Sequence, residues 1–378
     1  MKTWQIAACV WLSLLTNTAL QAGGRQADPR GVQFIPFRSF SAFTKSRGES
    51  PGEAILTSQV IKSRIPWDEL IVSWNAETPP TAWLRIEACA VYPDRQSKWY
   101  VMGLWTGDPA RHPRRSVARQ KDADGDVDTD TLILVRPAER VRVRITLGSG
   151  NKQLPRLKFL GLSLLDTSAK PAPLPPNRAA WGKLVDVPER SQMAYEGGEV
   201  WCSPATTSML LAHWRKRLNR PELDREVPEV VRNVFDPQWD GTGNWVFNTA
   251  YAGSFRGMRA YTARLSDVAE IEDWIARGLP VGLSVCYNRL RGKSRDPSGH
   301  LVVCVGFTET GDAIINDPGT RENVRKIFPR ANLIDALAYK KNAVYLVYPE
   351  TGRLPVDRFC HWDSAATRRE LLRRNEGK

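Results

Sequence analysis

The sequence predicts two unlike domains, an all-β sandwich of jelly-roll type followed by an α+β domain. Three observations carry this. Residues 30–165 are a succession of short β-like runs separated by Pro, Gly, Asp and Asn, almost without helical period. Residues 166–180, DTSAKPAPLPPNRAA, break every periodicity and read as a stiff, extended linker with no packing surface of its own. Residues 181–350 mix helical and strand rhythms, helices first and an antiparallel sheet after them. With 378 residues, 42% of them hydrophobic and 25% charged, the chain has apolar material for both cores.

The first 22 residues, MKTWQIAACVWLSLLTNTALQA, place one lysine before a short apolar run and small residues after it. This is the pattern of a cleaved export signal and predicts a periplasmic or extracellular protein. A membrane anchor needs about 20 uninterrupted apolar residues. Here Ser13, Thr16, Asn17 and Thr18 interrupt the run. No later stretch is apolar enough to span a bilayer, so no transmembrane segment is expected after signal cleavage.

In the first half, residues 69–74, 82–91, 98–105, 131–135, 140–147 and 157–165 read as strands. The clearest is RVRVRITL, in which Val141, Val143, Ile145 and Leu147 alternate with Arg140, Arg142, Arg144 and Thr146 and so give one buried and one wet face. Trp74, Trp83, Trp99, Tyr100 and Trp105 lie within these runs and are expected in the core, with a carbohydrate platform as the alternative. The acidic stretch DADGDVDTD, residues 122–130, lacks the glycine and glutamate positions of a helix-loop-helix calcium site and reads as a hairpin loop.

The formal net charge of +13 suits a polyanionic surface, such as a cell-wall polymer or anionic lipid. The basic runs at 111–121 and 368–378 carry no interleaved aromatics, so nucleic acid is not an expected partner. Residues 351–378 read as a basic, polar tail. Beyond Cys9, five cysteines remain at wide, irregular spacing: Cys89, Cys202, Cys286, Cys304 and Cys360. An odd number without rhythm excludes a disulfide scaffold and leaves at least one thiol free. Cys286 and Cys304 fall in neighbouring strand patterns and are expected in the core; no cofactor or metal is called for.

In the second half a helix is expected over residues 203–218, with Leu210, Leu211, Trp214 and Leu218 on one face. Ser203 and Pro204 suit its first turn, so Cys202 stands at the helix start, where unpaired N–H groups and the dipole favour a thiolate. A cysteine packed beneath Trp201 is the alternative. A second helix is expected at SDVAEIEDWIARG, capped by Ser266 and ended by Gly278, followed by strands at 279–287, 299–307, 313–317 and 342–349. His300 opens one of these strands, and a turn at 310–312 returns the chain to Asp317. The antiparallel geometry places that carboxylate beside the imidazole. Cysteine, histidine and aspartate are the set needed for covalent acyl transfer. Of the other histidines, His112 lies in a basic loop, His213 in mid-helix and His361 in the tail, none with an acid placed by a hairpin.

The segments WCSPATTSM, SGHLVVCVGF and INDPGT together resemble the papain-like cysteine peptidases, and more narrowly the C39-like peptidase family, over residues 190–349. The resemblance implies a papain-like fold for the second domain, with Cys202 as nucleophile, His300 as base and then acid, Asp317 as orienter, and an upstream glutamine helping to bind the oxyanion. Family members that process export leaders place that glutamine six residues before the cysteine. Position 196 is Glu here, and the nearest glutamine is Gln192, which becomes the candidate donor if the intervening segment loops out. The expected function is hydrolysis of a peptide or cell-wall peptide through a thioester. Two rivals remain: a glycan- or protein-binding protein with a vestigial triad, and a transglutaminase-like acyl transferase.

Overall fold

The structure, a computed structural model, describes residues 28–368 apart from 152 and 366. The expected export signal and residues 369–378 of the expected tail lie outside them. The N-terminal region is β-rich, the C-terminal region α+β.

Nine antiparallel strands form the N-terminal region: β1 (Val32–Phe37), β2 (Thr44–Arg47), β3 (Ala54–Thr57), β4 (Ile61–Glu77), β5 (Ala82–Ala90), β6 (Tyr100–Thr106), β7 (Gly125–Asp128), β8 (Thr131–Ser149) and β9 (Arg156–Leu165). They run β1-β9-β4-β8-β3-β2, with β5 and β7 also on β8 and β6 on β5. The expected separate sheets of a sandwich are therefore joined into one hydrogen-bonded sheet, because β4 and β8 run through both of its parts. The β4–β8 ladder is irregular on both sides of the pair Trp67–Ala138, next to Pro66 and Pro137, neither of which has an N–H to give it. The two sequence runs at 131–135 and 140–147 are nevertheless one continuous strand. The β5–β6 leaf meets β4 through aromatic rings, with Trp105 edge-on to Trp74 at 6.2 Å. Trp74, Tyr100 and Trp105 are core residues, while Trp83 and Trp99 are half-buried. The acidic stretch forms the β7–β8 hairpin. Its carboxylates turn to different partners: Asp122 accepts from Tyr100, Asp124 from Arg95 and Asp130 from the Trp245 amide.

The C-terminal region has helices α1 (Cys202–Leu218), α2 (Val227–Val234), α3 (Trp245–Ser254), α4 (Val268–Ala276), α5 (Tyr287–Leu290) and α6 (Arg330–Tyr339). Its strands are β10 (Met258–Arg264), β11 (Val281–Cys286), β12 (Gly299–Phe307), β13 (Ala313–Asn316), β14 (Arg325–Phe328) and β15 (Ala343–Pro349), in the antiparallel order β10-β15-β11-β12-β13-β14. Helix α4 is capped by Asp267, which accepts from the Ala269 amide at 2.8 Å, rather than by Ser266, whose N–H and hydroxyl both go to Glu270. No helix among the described residues is long and apolar enough to cross a membrane.

The two regions are not joined by a passive linker. Within residues 166–180, the Leu174 amide donates to Asp267, the Asn177 amide to Glu272 at 2.7 Å and the Asn177 side chain to Asp273, and Ala180 is buried. The expectation of a linker without packing surface is corrected: its stretch at Leu174–Asn177 is tied to carboxylates at the start and middle of α4. The regions also meet directly. Asn75 bridges both backbone groups of Ala260, Ser73 accepts from the Thr262 amide, and Arg264 donates to Glu69 at 2.7 Å with both side chains 3% exposed.

The expected polar tail is likewise part of the fold as far as it is described. His361, Trp362 and Asp363 are buried. His361 bonds Glu270 at 2.7 Å through Nδ1 and the Pro29 carbonyl through Nε2, while Arg38 and Arg368 converge on Asp363. The composition of the tail suggests exposure, but His361 and Asp363 are buried with counter-charges, and the buried Asp357 is met by hydroxyls and backbone N–H groups.

Candidate active site

Cys202 is the first residue of α1, which no side chain caps; Ser203 next to it is buried and shares a 2.8 Å hydrogen bond with Tyr345 of β15. Helix α1 packs on β12, and His300 is the second residue of that strand. The following hairpin returns through β13, where Asn316 pairs with Val303, so Asp317 emerges beside Val302, two residues along β12 from His300. A register shift between Cys304 and Gly306 adjusts the reach, and His300 Nε2 meets Asp317 Oδ1 at 2.8 Å.

With Nε2 taken by the carboxylate, the contact of the imidazole with the Cys202 sulfur falls to Nδ1. Burial pushes the Cys202 thiol up, but hydrogen bonding and charge from His300, with backbone N–H groups of Leu301 and Ser203, outweigh it and hold the thiol below its usual value. Burial likewise opposes a charged imidazole, yet Asp317 and Cys202 raise His300 to about 9. Asp317, despite burial, stays below the usual carboxylate range because His300, Tyr287 and the Gly319 N–H all stabilise its charge. Each partner thus favours the charged form of the other, thiolate beside imidazolium. By contrast Cys89 and Cys304 are pushed up by burial, to about 11 and about 12.

The structure adds a residue that sequence reasoning missed. Tyr287, just past β11, donates its hydroxyl to Asp317 Oδ2 at 2.7 Å, and its ring lies over His300 with centroids 4.2 Å apart. The Gly319 N–H reaches Asp317 Oδ1 at 2.9 Å, and a Cβ at Gly319 would stand 3.0 Å from the imidazole, so the loop after Asp317 closes tightly on the ring. A register argument could have found Tyr287: β11 pairs with β12 through Cys286–Gly299, so the residue after Cys286 falls near the strand start that bears His300.

Gln192 is placed differently from its expected role. It is buried, its backbone N–H bonds the Pro318 carbonyl, and its amide nitrogen donates to the carbonyls of Gly198 and Glu199 at 2.8 and 2.9 Å. Both amide protons are therefore spent on the segment before Cys202, and the Oε1 atom is buried without a partner. The segment does loop out, through Gly197 at φ +72 and a close approach of Gly198 to the Gln192 carbonyl, and the Gln192 side chain holds that loop. Glu196 is exposed. Of the other histidines, His213 is buried with Nδ1 on the Asp186 carbonyl, and His112 packs beside Trp83. Among the described residues no group of three or more His, Cys, Asp or Glu side chains is gathered to hold a metal ion.

Two family models match this chain. One, described as the Peptidase C39 N-terminal domain, matches residues 40–164; the other, described as the Peptidase C39 like family, matches residues 184–350. No curated protein matches. Similarity to solved structures is faint. A study of carbohydrate-binding modules from the β-sandwich superfamily gives 12% identity over 35% of this chain and 52% of that one, with a TM-score of 0.16. A serine protease of Aeromonas sobria gives 14% over 35% and 26%, with 0.19. A family two carbohydrate esterase from Cellvibrio japonicus gives 13% over 48% and 50%, with 0.17. The alignments span less than two thirds of each of those chains, and at such scores they carry no argument.

Proposed function

Since this chain belongs to the C39-like peptidases through its residues 184–350, we propose that it is an exported cysteine peptidase of papain-like fold that hydrolyses an amide bond through a thioester. The observation that carries the reading is the Cys202–His300–Asp317 set, with a depressed thiol facing a raised imidazole that a buried carboxylate orients.

Cys202 Sγ attacks the carbonyl carbon, and the carbonyl electron pair moves onto oxygen, where N–H groups at the start of α1 offer positive potential. His300 gives its proton to the leaving nitrogen as the C–N bond breaks, leaving a thioester on Cys202. Water then attacks, its proton passes to His300, and the C–S bond breaks to release the acid. Asp317 holds the ring in one tautomer throughout. A peptide or a cell-wall peptide fits the expected export signal, and the net charge of +13 favours work at a polyanionic surface.

The test is to incubate the protein with a mixed peptide library and with isolated peptidoglycan, and to read new termini by mass spectrometry. Termini that gain one water with the wild type and vanish in Cys202→Ala are expected. No cleavage, or equal cleavage by Cys202→Ala, overturns the reading, and products that add a supplied amine instead of water identify acyl transfer.

A further inference from the structure

One face of the candidate site carries a charge that the steps above do not use. The Arg291 guanidinium lies over the ring of Tyr287, 3.9 Å from its centroid, and that ring lies 4.2 Å from the His300 ring. The guanidinium carbon is therefore no further than the sum of these, about 8 Å, from the imidazole centre. Its Nη2 donates to Asn288 Oδ1 at 2.9 Å, and its backbone N–H bonds the Tyr287 carbonyl. Arg291 is thus held in place, yet it is exposed, and no salt bridge to a carboxylate engages it among the described residues. One N–H of Nη2 is spent on Asn288 and the guanidinium also bonds the Tyr287 side chain, so the remaining N–H groups are those that can serve a ligand.

The loop that follows Arg291 is mixed but net cationic, with Lys293, Arg295 and Asp296 all exposed, and Lys326 stands 3.8 Å from Asp317. The imidazole thus has cations near it on the Arg291 side. Protonation fixes which part of a substrate meets the cationic side, because His300 delivers its proton to the leaving nitrogen and the amine portion departs past it.

We propose that Arg291 recognises a carboxylate carried by the leaving-amine portion of the substrate, an acidic residue or a terminal carboxylate just beyond the cleaved bond. The assignment rests on the peptidase reading above. It makes Arg291 a specificity residue, bidentate towards a planar carboxylate in a way that lysine reproduces only as a point charge.

Two alkylating agents of nearly equal size test it without a known substrate. Iodoacetate carries a carboxylate and iodoacetamide does not, so the ratio of their rates at Cys202 reports local charge with the nucleophile's own reactivity divided out. One cation about 8 Å from the imidazole predicts that Arg291→Gln lowers this ratio about threefold to fivefold, that Arg291→Lys keeps most of it, and that 1 M salt erases the difference. In the peptide library, cut sites of the wild type should be enriched in Asp, Glu or a free carboxylate on the amine side, and Arg291→Gln should remove the enrichment. An unchanged ratio, or cleavage without that enrichment, overturns the role of Arg291 and leaves the peptidase reading standing. If neither reagent modifies Cys202 in preference to the other cysteines, the peptidase reading fails and this assignment with it.

Discussion

Tyr287 and Asp317 are joined by a 2.7 Å hydrogen bond from the phenol to Oδ2, while the same tyrosine ring covers the imidazole that Oδ1 holds. The carboxylate thus receives three donors: the His300 ring, the Tyr287 hydroxyl and the Gly319 amide. Each lowers the cost of keeping a charge in a buried place, and together they leave the carboxylate no freedom to rotate. Tyr287→Phe keeps the ring and removes one donor. A hydrogen bond to a charged group is worth about 1.5–3 kcal/mol, and since only part of it reaches the chemical step, kcat should fall about tenfold while the thermal midpoint moves little. Tyr287→Ala, which also uncovers the imidazole, should lose more. Full activity in both variants would remove Tyr287 from the positioning machinery.

In Asp317→Asn the amide oxygen can still accept from His300 and from the Gly319 N–H, while its N–H₂ can donate to the Tyr287 oxygen once the phenol turns to accept. Turnover should drop, but less than in Asp317→Ala, which leaves the ring without an orienter. The imidazolium also loses its counter-charge, so the alkaline limb of the pH profile moves down.

In the wild type that limb is set by His300, whose imidazolium persists to about 9. Acylation needs the protonated ring to release the amine, so kcat/KM should hold a plateau through neutral pH and fall as pH rises through about 9. Alkylation of Cys202 by iodoacetamide needs only the thiolate. It should already be fast at mildly acidic pH, and far faster than at Cys89 or Cys304, whose thiols burial pushes up. An alkaline limb near pH 7, or equal alkylation of all three cysteines, would contradict the ion-pair state.

Much of the site was legible in the sequence because its three residues sit at the ends of periodic segments, and short-range rules fix those ends. Cys202 precedes a helix pattern, His300 opens a strand, and Asp317 closes the next strand of one hairpin. Tyr287 was not legible in that way, since its role depends on pairing between β11 and β12 rather than on its neighbours in the chain. Nor were the polar interface residues: Ser73, Asn75 and Ser163 alternate with apolar neighbours as a solvated strand face would, yet they bond the backbone of β10. His361 sits in a stretch without periodicity, and its burial rests on two long-range partners, Glu270 and the Pro29 carbonyl.

Gln192 separates two ways in which a glutamine can serve a nucleophile. An oxyanion donor affects the tetrahedral intermediate alone, so its removal leaves Cys202 alkylation fast. A loop holder sets the position of the segment that delivers Cys202, so its removal lowers kcat and slows alkylation together. The bonds to Gly198 and Glu199 predict the second outcome for Gln192→Ala. If alkylation keeps its wild-type rate while kcat falls about 10²-fold, the amide must swing to the substrate during turnover.

The two regions should behave as one unit, because charged groups at their interface have no water to return to. Glu69 on β4 is buried against Arg264 of β10 and also meets Lys341, and Arg264 is itself 3% exposed. Glu69→Ala leaves the guanidinium buried with only the carbonyls of Lys340 and Lys341, a loss of about 3–5 kcal/mol by analogy with other broken buried pairs. Cleavage within residues 166–180 should be slow, since the backbone there is pinned to α4, and the cut halves should stay together on gel filtration with activity retained. Glu69→Ala should let the cut halves separate, and because the interface includes the Asp130 carboxylate that accepts from the first amide of α3, activity should fall as they part. Halves that separate readily in the wild type, with full activity in the C-terminal piece, would show that the interface is dispensable.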